Sequence, residues 1–271
     1  MQDALSVTLD GLQEWAVGER MLAATLRGLD VERAQRAEWL RGTLPPGPLG
    51  RRVLEKVAGR VGPLVEAATP LLAAPAQAVD VRLDVPVGGV VRVLSGTVNG
   101  VRDGAVVSVA SSTLSARHRV RAWVLALVLA AAGEGDRAVT VGRRSARAVT
   151  STLLAPPDPC AVLAELVDLH DRGLREPLPV AVKTSASYAA ARLGGNSVEQ
   201  AVESALREWR NDFGGEQDDR HHRHVWGDGA ALTDLLAAPP SADERWGDEP
   251  SRFGALACRL WAPLLQAEER S

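Results

Sequence analysis

The stretch VRVLSGTVNGVRDGAVVSVASS, residues 91–112, decides how the rest of the chain is read. Two runs rich in β-branched residues flank Asp103-Gly104, a dipeptide that closes tight hairpins because both positions tolerate positive φ. The spacing predicts a strand over 90–98 and a second, buried strand over 105–110. Just upstream, VDVRLDV (79–85) alternates strictly. Val79, Val81, Leu83 and Val85 fall on one face and Asp80, Arg82 and Asp84 on the other, the pattern of a half-buried strand, and the PVGG that follows is a turn.

Downstream, SARHRVRAWVLALVLAAAG (115–133) reads as a helix with basic first turns, an almost wholly apolar remainder and a glycine stop. A helix apolar on all sides is packed inside a domain, here against the sheet. A strand over 138–141 returns the chain to that sheet. Residues 1–78 are expected to be helical. Leu12, Trp15, Leu22 and Leu26 form one stripe and Leu49, Val53, Val57, Val61 and Leu64 another, on either side of the proline-rich turn GTLPPGPLG (42–50), whose Pro48 suits a first helical turn. Residues 79–150 form the core sheet and helix, and 151–271 a mainly helical part. In that last part Asp158-Pro159 starts a helix with Leu163, Leu166, Val167 and His170, LPVAV (178–182) is extended, and residues 196–199 (NSVE) form a capping box. The polar GGEQDDRHHRH is a loop, and a last helix carries Phe253, Leu256, Leu260, Trp261 and Leu264 on one face. With no repeat or sharp linker, the chain reads as a single domain over 1–271.

Composition narrows the function. The 271 residues are 46% hydrophobic and 24% charged, with a net charge of −3, so the surface as a whole does not cling to phosphate and any nucleic-acid role is local. Lys56 and Lys183 are the only lysines; arginine carries the remaining positive charge. Cys160 and Cys258 lie far apart, outside metal or redox spacing, and fit a reducing compartment. The start MQDALSVTLD lacks a secretory pattern, and the longest apolar run, 122–132, is too short to span a bilayer. The expectation is a cytoplasmic protein without membrane contact.

The order strand, strand, strand, helix, strand is that of an α/β, restriction-endonuclease-like (PD-(D/E)XK-type) core sheet flanked by helices. Such a core needs an Asp on its second strand, an Asp or Glu on its third and a Lys two residues later. The carboxylates hold Mg²⁺, which activates water and neutralises the leaving phosphate. Here Asn99 fills the first slot, Ser108 the second and Ala110 the lysine slot. Asp80, Asp84 and Asp103 are strand or turn residues outside those slots. The core is therefore read as catalytically degenerate, with no catalytic residue and no metal site.

Several segments in order resemble the RecC C-terminal domain family, RecC being the gamma subunit of exodeoxyribonuclease V (RecBCD). They are LDGLQEWAVGERML, GTLPPGPLG, the block from VDVRLDV to VLAAAG, EPLPVAVKTSASYAAAR and SRFGALACRLWAPLL. No one piece is specific; their order and spacing make the match. The resemblance implies a nuclease-like domain without catalytic residues. It implies RecB-like and RecD-like partner subunits, duplex or forked DNA guided during double-strand-break repair by homologous recombination, and no cofactor in this domain, with ATP and Mg²⁺ used by the other subunits. Two other readings stay open: a Mg²⁺-dependent nuclease with relocated ligands, and a protein-interaction module without DNA contact.

Residues 105–155 carry Arg117, Arg119, Arg121, Arg137, Arg143, Arg144 and Arg147 against only Glu134 and Asp136, the one strongly basic segment. In the expected fold the start of the 115–133 helix faces the vestigial cleft. Arg117, His118, Arg119, Arg121, Arg143, Arg144 and Arg147 are thus the nucleic-acid-binding candidates. Asp218, Asp219, His221, His222 and His224 cluster without a good zinc spacing and read as a pH-sensitive surface loop. Helical spacing makes Trp209 and Trp261 core residues, whereas Trp226 and Trp246, in polar stretches, are the partner-contact candidates.

Overall fold

Three N-terminal helices begin where the sequence supplies caps. Asp10 accepts a hydrogen bond from the Gln13 N–H at 2.7 Å and opens α1 (Gly11–Leu26). Asp30 accepts one from Arg33 at 2.7 Å and opens α2 (Val31–Leu40), and Pro48 is the first residue of α3 (Pro48–Ala68). The computed structural model describes residues 9–211 and 214–271, so the helical expectation for residues 1–8 lies outside the described residues. The expected stripe on α1 is rotated. Val17, Met21 and Leu22 are buried, while Leu12 and Trp15 face solvent.

The strands β1 (Gln77–Val87) and β2 (Val90–Arg102) pair antiparallel through the Gly88-Gly89 turn, and β1 keeps the predicted alternation, with Val81 and Val85 buried and Asp80, Arg82 and Asp84 exposed. Asp103 and Gly104, at φ 47° and 72°, close the next turn into β3 (Ala105–Thr113). From there α4 (Ala116–Ala132) crosses over to β4 (Arg137–Arg144), which lies parallel to β3. Gly133 ends α4 in the left-handed region, as its sequence predicts. Then β5 (Arg147–Leu154) returns antiparallel.

The C-terminal part is α5 (Pro159–Gly173), α6 (Val182–Leu193), α7 (Val198–Trp209), α8 (Arg220–Trp226), α9 (Leu232–Leu236), α10 (Arg252–Gln266) and β6 (Glu268–Arg270). Residues 178–181 are non-helical, and Val182 already belongs to α6. The capping box sits one residue later than expected: Ser197 is the cap and Gln200 its reciprocal partner. The GGEQDDRHHRH segment is more ordered than a loop, because Glu216 is buried and accepts hydrogen bonds from the Lys183 and Thr184 N–H groups, capping α6 from outside its own helix.

The six strands form one sheet in the order β1-β2-β3-β4-β5-β6. Its two faces carry separate cores. On one, α4 and the C-terminal helices bring Trp123, Leu127, Trp209, Phe253 and Trp261 against Val81, Val85, Val106, Ala138 and Leu153. On the other, Val17, Met21, Leu22, Val57, Val61 and Leu64 of α1 and α3 pack on Val141. Two strands depart from the expectation of a helical part from 151 onward. β5 runs to Leu154, its pattern diluted by Thr150, Ser151 and Thr152, and β6 is the charged Glu-Glu-Arg, held by pairing with β5. No helix of the described residues is long and apolar enough to cross a membrane.

Candidate functional site

The site is built by a parting of strands. β2 pairs with β3 only at Val101–Val106 and Arg102–Ala105, and Gly100, at φ 78°, turns the rest of β2 away with β1. The β3 edge beyond Val106 is thus left without a strand partner on that side. In place of one, the Glu19 carboxylate of α1 accepts hydrogen bonds from the Ser111 N–H at 3.0 Å and its hydroxyl at 2.6 Å. A cavity of about 350 Å³ opens along this edge, between Trp15 and Glu19 of α1 and His118, Arg121, Ala122 and Leu125 of α4. Ser108, Ala110, Ser112 and Thr140 complete it, and the Thr140 hydroxyl is buried without a hydrogen-bond partner.

Two of the three expected metal and lysine slots meet here: Ser108 and Ala110 line the cavity. Asn99 does not join them; it is exposed on β2, paired with Ala78, carried off by the divergence at Gly100. The donors are Glu19, the three hydroxyls of Ser108, Ser112 and Thr140, and His118. Mg²⁺ is held through carboxylates and water in octahedral geometry, and one carboxylate already bound to Ser111 does not meet that demand. Among the described residues no group of three or more His, Cys, Asp or Glu side chains is placed to share a metal ion. The 218–224 cluster is spent structurally. Asp219 caps α8 through the His221 N–H, and the His222 ring stacks on Trp209 with centroids 5.6 Å apart.

The basic candidates separate into four groups. Arg117 and Arg121 are exposed on the first turns of α4, and Arg121 lines the cavity. His118 is half-buried beside them, its Nδ1 accepting from the Ser115 N–H. Burial holds its pKa below the ordinary value and nearby Arg121 adds to this, against the opposing pull of Glu19, so it is neutral near pH 7. Arg119 points the other way. It is buried, pairs with Glu268 of β6 through both Nε and Nη2, and lies over the Trp261 ring at 5.5 Å, so it does not stand on the surface with its neighbours. Arg144 and Arg147 are exposed at the β4–β5 turn.

Arg143 belongs to a second cavity, about 330 Å³, on the opposite flank of α1 with Glu14, Trp15, Lys56 and Arg60. Its Nε donates to the Ser111 carbonyl at 2.5 Å. Glu14 pairs with Lys56 at 2.8 Å and with Arg60; burial works against its ionisation, and the two cations still hold its carboxyl below the usual range. Trp15 and Glu19 are cleft residues that the sequence does not reveal. Trp15 is 48% exposed and lines both cavities. An aromatic placed on a helical stripe signals core, and only its flanking acids on the outer face of α1 hint otherwise.

Of the partner-contact candidates, Trp246 is exposed, whereas Trp226 lies on α8, half-buried against the larger core. Trp209 and Trp261 are fully buried, donating their indole N–H groups to the Ala230 carbonyl and the Ser185 hydroxyl. Both cysteines are free, and burial first, with Glu249 second, pushes the Cys258 thiol up to about 12, leaving it inert.

A family model described as the RecC C-terminal domain matches residues 1–193. The chain is similar to the RecBCD enzyme subunit RecC of Mycobacterium tuberculosis (strain H37Rv), 43% identical over 274 aligned residues that cover 99% of this chain and 24% of that protein. It is 41% identical to the RecBCD enzyme subunit RecC of Mycolicibacterium smegmatis (strain mc(2)155), again over 99% of this chain and 24% of the relative. The chain spans about a quarter of the length of the curated relatives it matches.

Proposed function

The chain belongs to the RecC C-terminal domain family, and on that premise we propose that it is one restriction-endonuclease-like domain without catalytic residues, serving as scaffold and DNA guide in a RecBCD-type helicase–nuclease. Its work is double-strand-break repair by homologous recombination in the cytoplasm, beside RecB-like and RecD-like subunits. Those subunits supply the ATP and Mg²⁺ chemistry; this domain takes no cofactor.

One observation carries the reading. The open β3 edge lies where a catalytic member of such a fold would hold its metal, and it presents Ser108 and Ala110 with a single carboxylate, Glu19, already engaged by Ser111. Exposed Arg117 and Arg121 stand at the rim, and Arg144 and Arg147 on the neighbouring turn, with no acidic partner drawn onto any of the four among the described residues. Unpaired exposed arginines suit phosphate oxygens, which position a duplex without reading its sequence. Trp246 is the contact offered to a partner subunit.

The test is charge reversal at Arg117, Arg121 and Arg144, three exposed positions, in the assembled complex. Forked-DNA affinity is expected to fall, and the slope of log K against log salt to flatten by about one for each phosphate that the arginines cease to neutralise. Unchanged affinity and slope, with partner assembly intact, would favour a protein-interaction module without DNA contact.

A further inference from the structure

We propose that the cavity at the open β3 edge takes an unstacked base of a single strand, with the Trp15 ring as its platform; this deepens the DNA-guiding reading and rests on it. Trp15 has nearly half its surface exposed, and it is the wall shared by the two cavities. On one flank lie Lys56, Arg60 and Arg143, three cations against the one carboxylate of Glu14; on the other lie Arg121 and the Glu19 carboxylate. An aromatic ring beside a cationic flank is the arrangement that single strands use: bases stack on the ring and the phosphates run along the cations.

The cavity itself suits a base edge, which offers both donors and acceptors. Its apolar walls are Val109, Ala110, Ala122 and Leu125, and the polar groups among them are the Ser108, Ser112 and Thr140 hydroxyls, the Glu19 carboxylate, His118 and, at the mouth, Arg121. Thr140 is 2% exposed, and its hydroxyl is satisfied by nothing in the protein. A buried hydroxyl without a partner is costly, and a ligand that supplies the missing hydrogen bond removes the cost. Both bonds to Glu19 use Oε1, so Oε2 keeps its acceptor capacity for an amino or imino N–H. The volume, about 350 Å³, falls at the small end of ligand sites, a size for one base and not for a duplex.

The test compares two strands of equal length, a 12-nucleotide oligothymidylate and an abasic sugar–phosphate strand, by fluorescence anisotropy with the 271-residue chain. The parent is expected to bind the thymidine strand about tenfold more tightly than the abasic one. Trp15→Ala removes that preference, Trp15→Phe keeps it within about threefold, and Ser108→Phe, which fills the cavity from an exposed strand position, abolishes it independently. Equal affinity for the two strands, a Trp15→Ala or Ser108→Phe chain that binds like the parent, or no binding of the thymidine strand overturns the proposal. If charge reversal at Arg117, Arg121 and Arg144 still weakens fork binding by the complex while bases make no difference, this inference falls and the DNA-guiding reading stands.

Discussion

Arg119 stands two positions from both Arg117 and Arg121, yet it serves the fold and they do not. Two residues turn an α-helix by about 200°, so the middle arginine of the three points at the sheet. There it meets Glu268, buried like itself, and the Trp261 ring. Burial alone would raise the Glu268 pKa, but Arg119 and the Ser151 hydroxyl at 2.6 Å hold it below the ordinary carboxylate value. A depressed carboxyl contributes stability that is complete above its unfolded pKa of about 4.3 and is lost as pH falls through the folded one. Glu268→Ala leaves the arginine charged and unpaired in the interior, and a loss of about 3–5 kcal/mol in urea unfolding is expected. Stability unchanged within about 1 kcal/mol would show that the pair is not what anchors β6.

His118 follows the opposite logic from its arginine neighbours. Its depressed pKa, set first by burial, makes it neutral in the folded chain near pH 7. The unfolded imidazole, at about 6.5, takes a proton first, so the folded state loses stability as pH falls below that value. His118→Gln is therefore expected to leave the salt slope of DNA binding unchanged at pH 7.5, whereas Arg121→Gln lowers it. An equal drop for both at that pH contradicts a neutral His118.

Among the elements, the β2–β3 turn is the most constrained. The α4–β4 connection passes so close to it that the Asp136 N–H donates to the Gly104 carbonyl at 3.2 Å, and a Cβ on Gly135 would overlap that same carbonyl oxygen. Gly135 also has φ 153°, where L-residues are rare. Gly135→Ala should cost about 1–3 kcal/mol or more, read as a lower unfolding midpoint, because backbone and not a flexible side chain must yield. A midpoint within a degree of the parent would mean that the two turns slide apart freely.

This crowding is invisible in the sequence, in which GEGD is only a polar stop. The elements legible there are those with strong local signals: the alternation in β1, Asp103-Gly104, the apolar α4 with its Gly133, the cap Asp158, and, one residue out of register, the capping box of α7. Elements specified by their neighbours are not legible. β6 has no apolar residue, and α8 forms on a segment whose Glu216 is drawn inward by the unfilled N–H groups of α6. The same limit applies to the cleft. Strand spacing places Ser108 and Ala110, but Trp15 and Glu19 reach it from α1, some ninety residues away in sequence, and only the packing of α1 across the β3 edge brings them there.

At the scale of the molecule, one sheet separates two cores, and the site lies at its single parting, where β1 and β2 leave β3. The parting gives the chain an open, rigidly backed edge within reach of both helical layers. Arg117, Arg121, Arg144 and Arg147 are exposed near it, while Arg119 is turned inside. On the proposed reading, these four exposed arginines guide a strand past a scaffold, since a slightly acidic surface does not coat DNA at large.

The most direct measurement is site-specific photocrosslinking in the complex assembled with the RecB-like and RecD-like subunits, with the photoreactive residue placed in turn at Arg121, Arg144 and Trp246. With a forked duplex bound, Arg121 and Arg144 are expected to label DNA and Trp246 a partner subunit, and Mg²⁺-dependent cleavage is expected to persist when Glu19 or Ser108 is replaced. Crosslinks from Arg121 and Arg144 to protein alone, or DNA cleavage that disappears with Glu19, would contradict a non-catalytic domain that guides DNA.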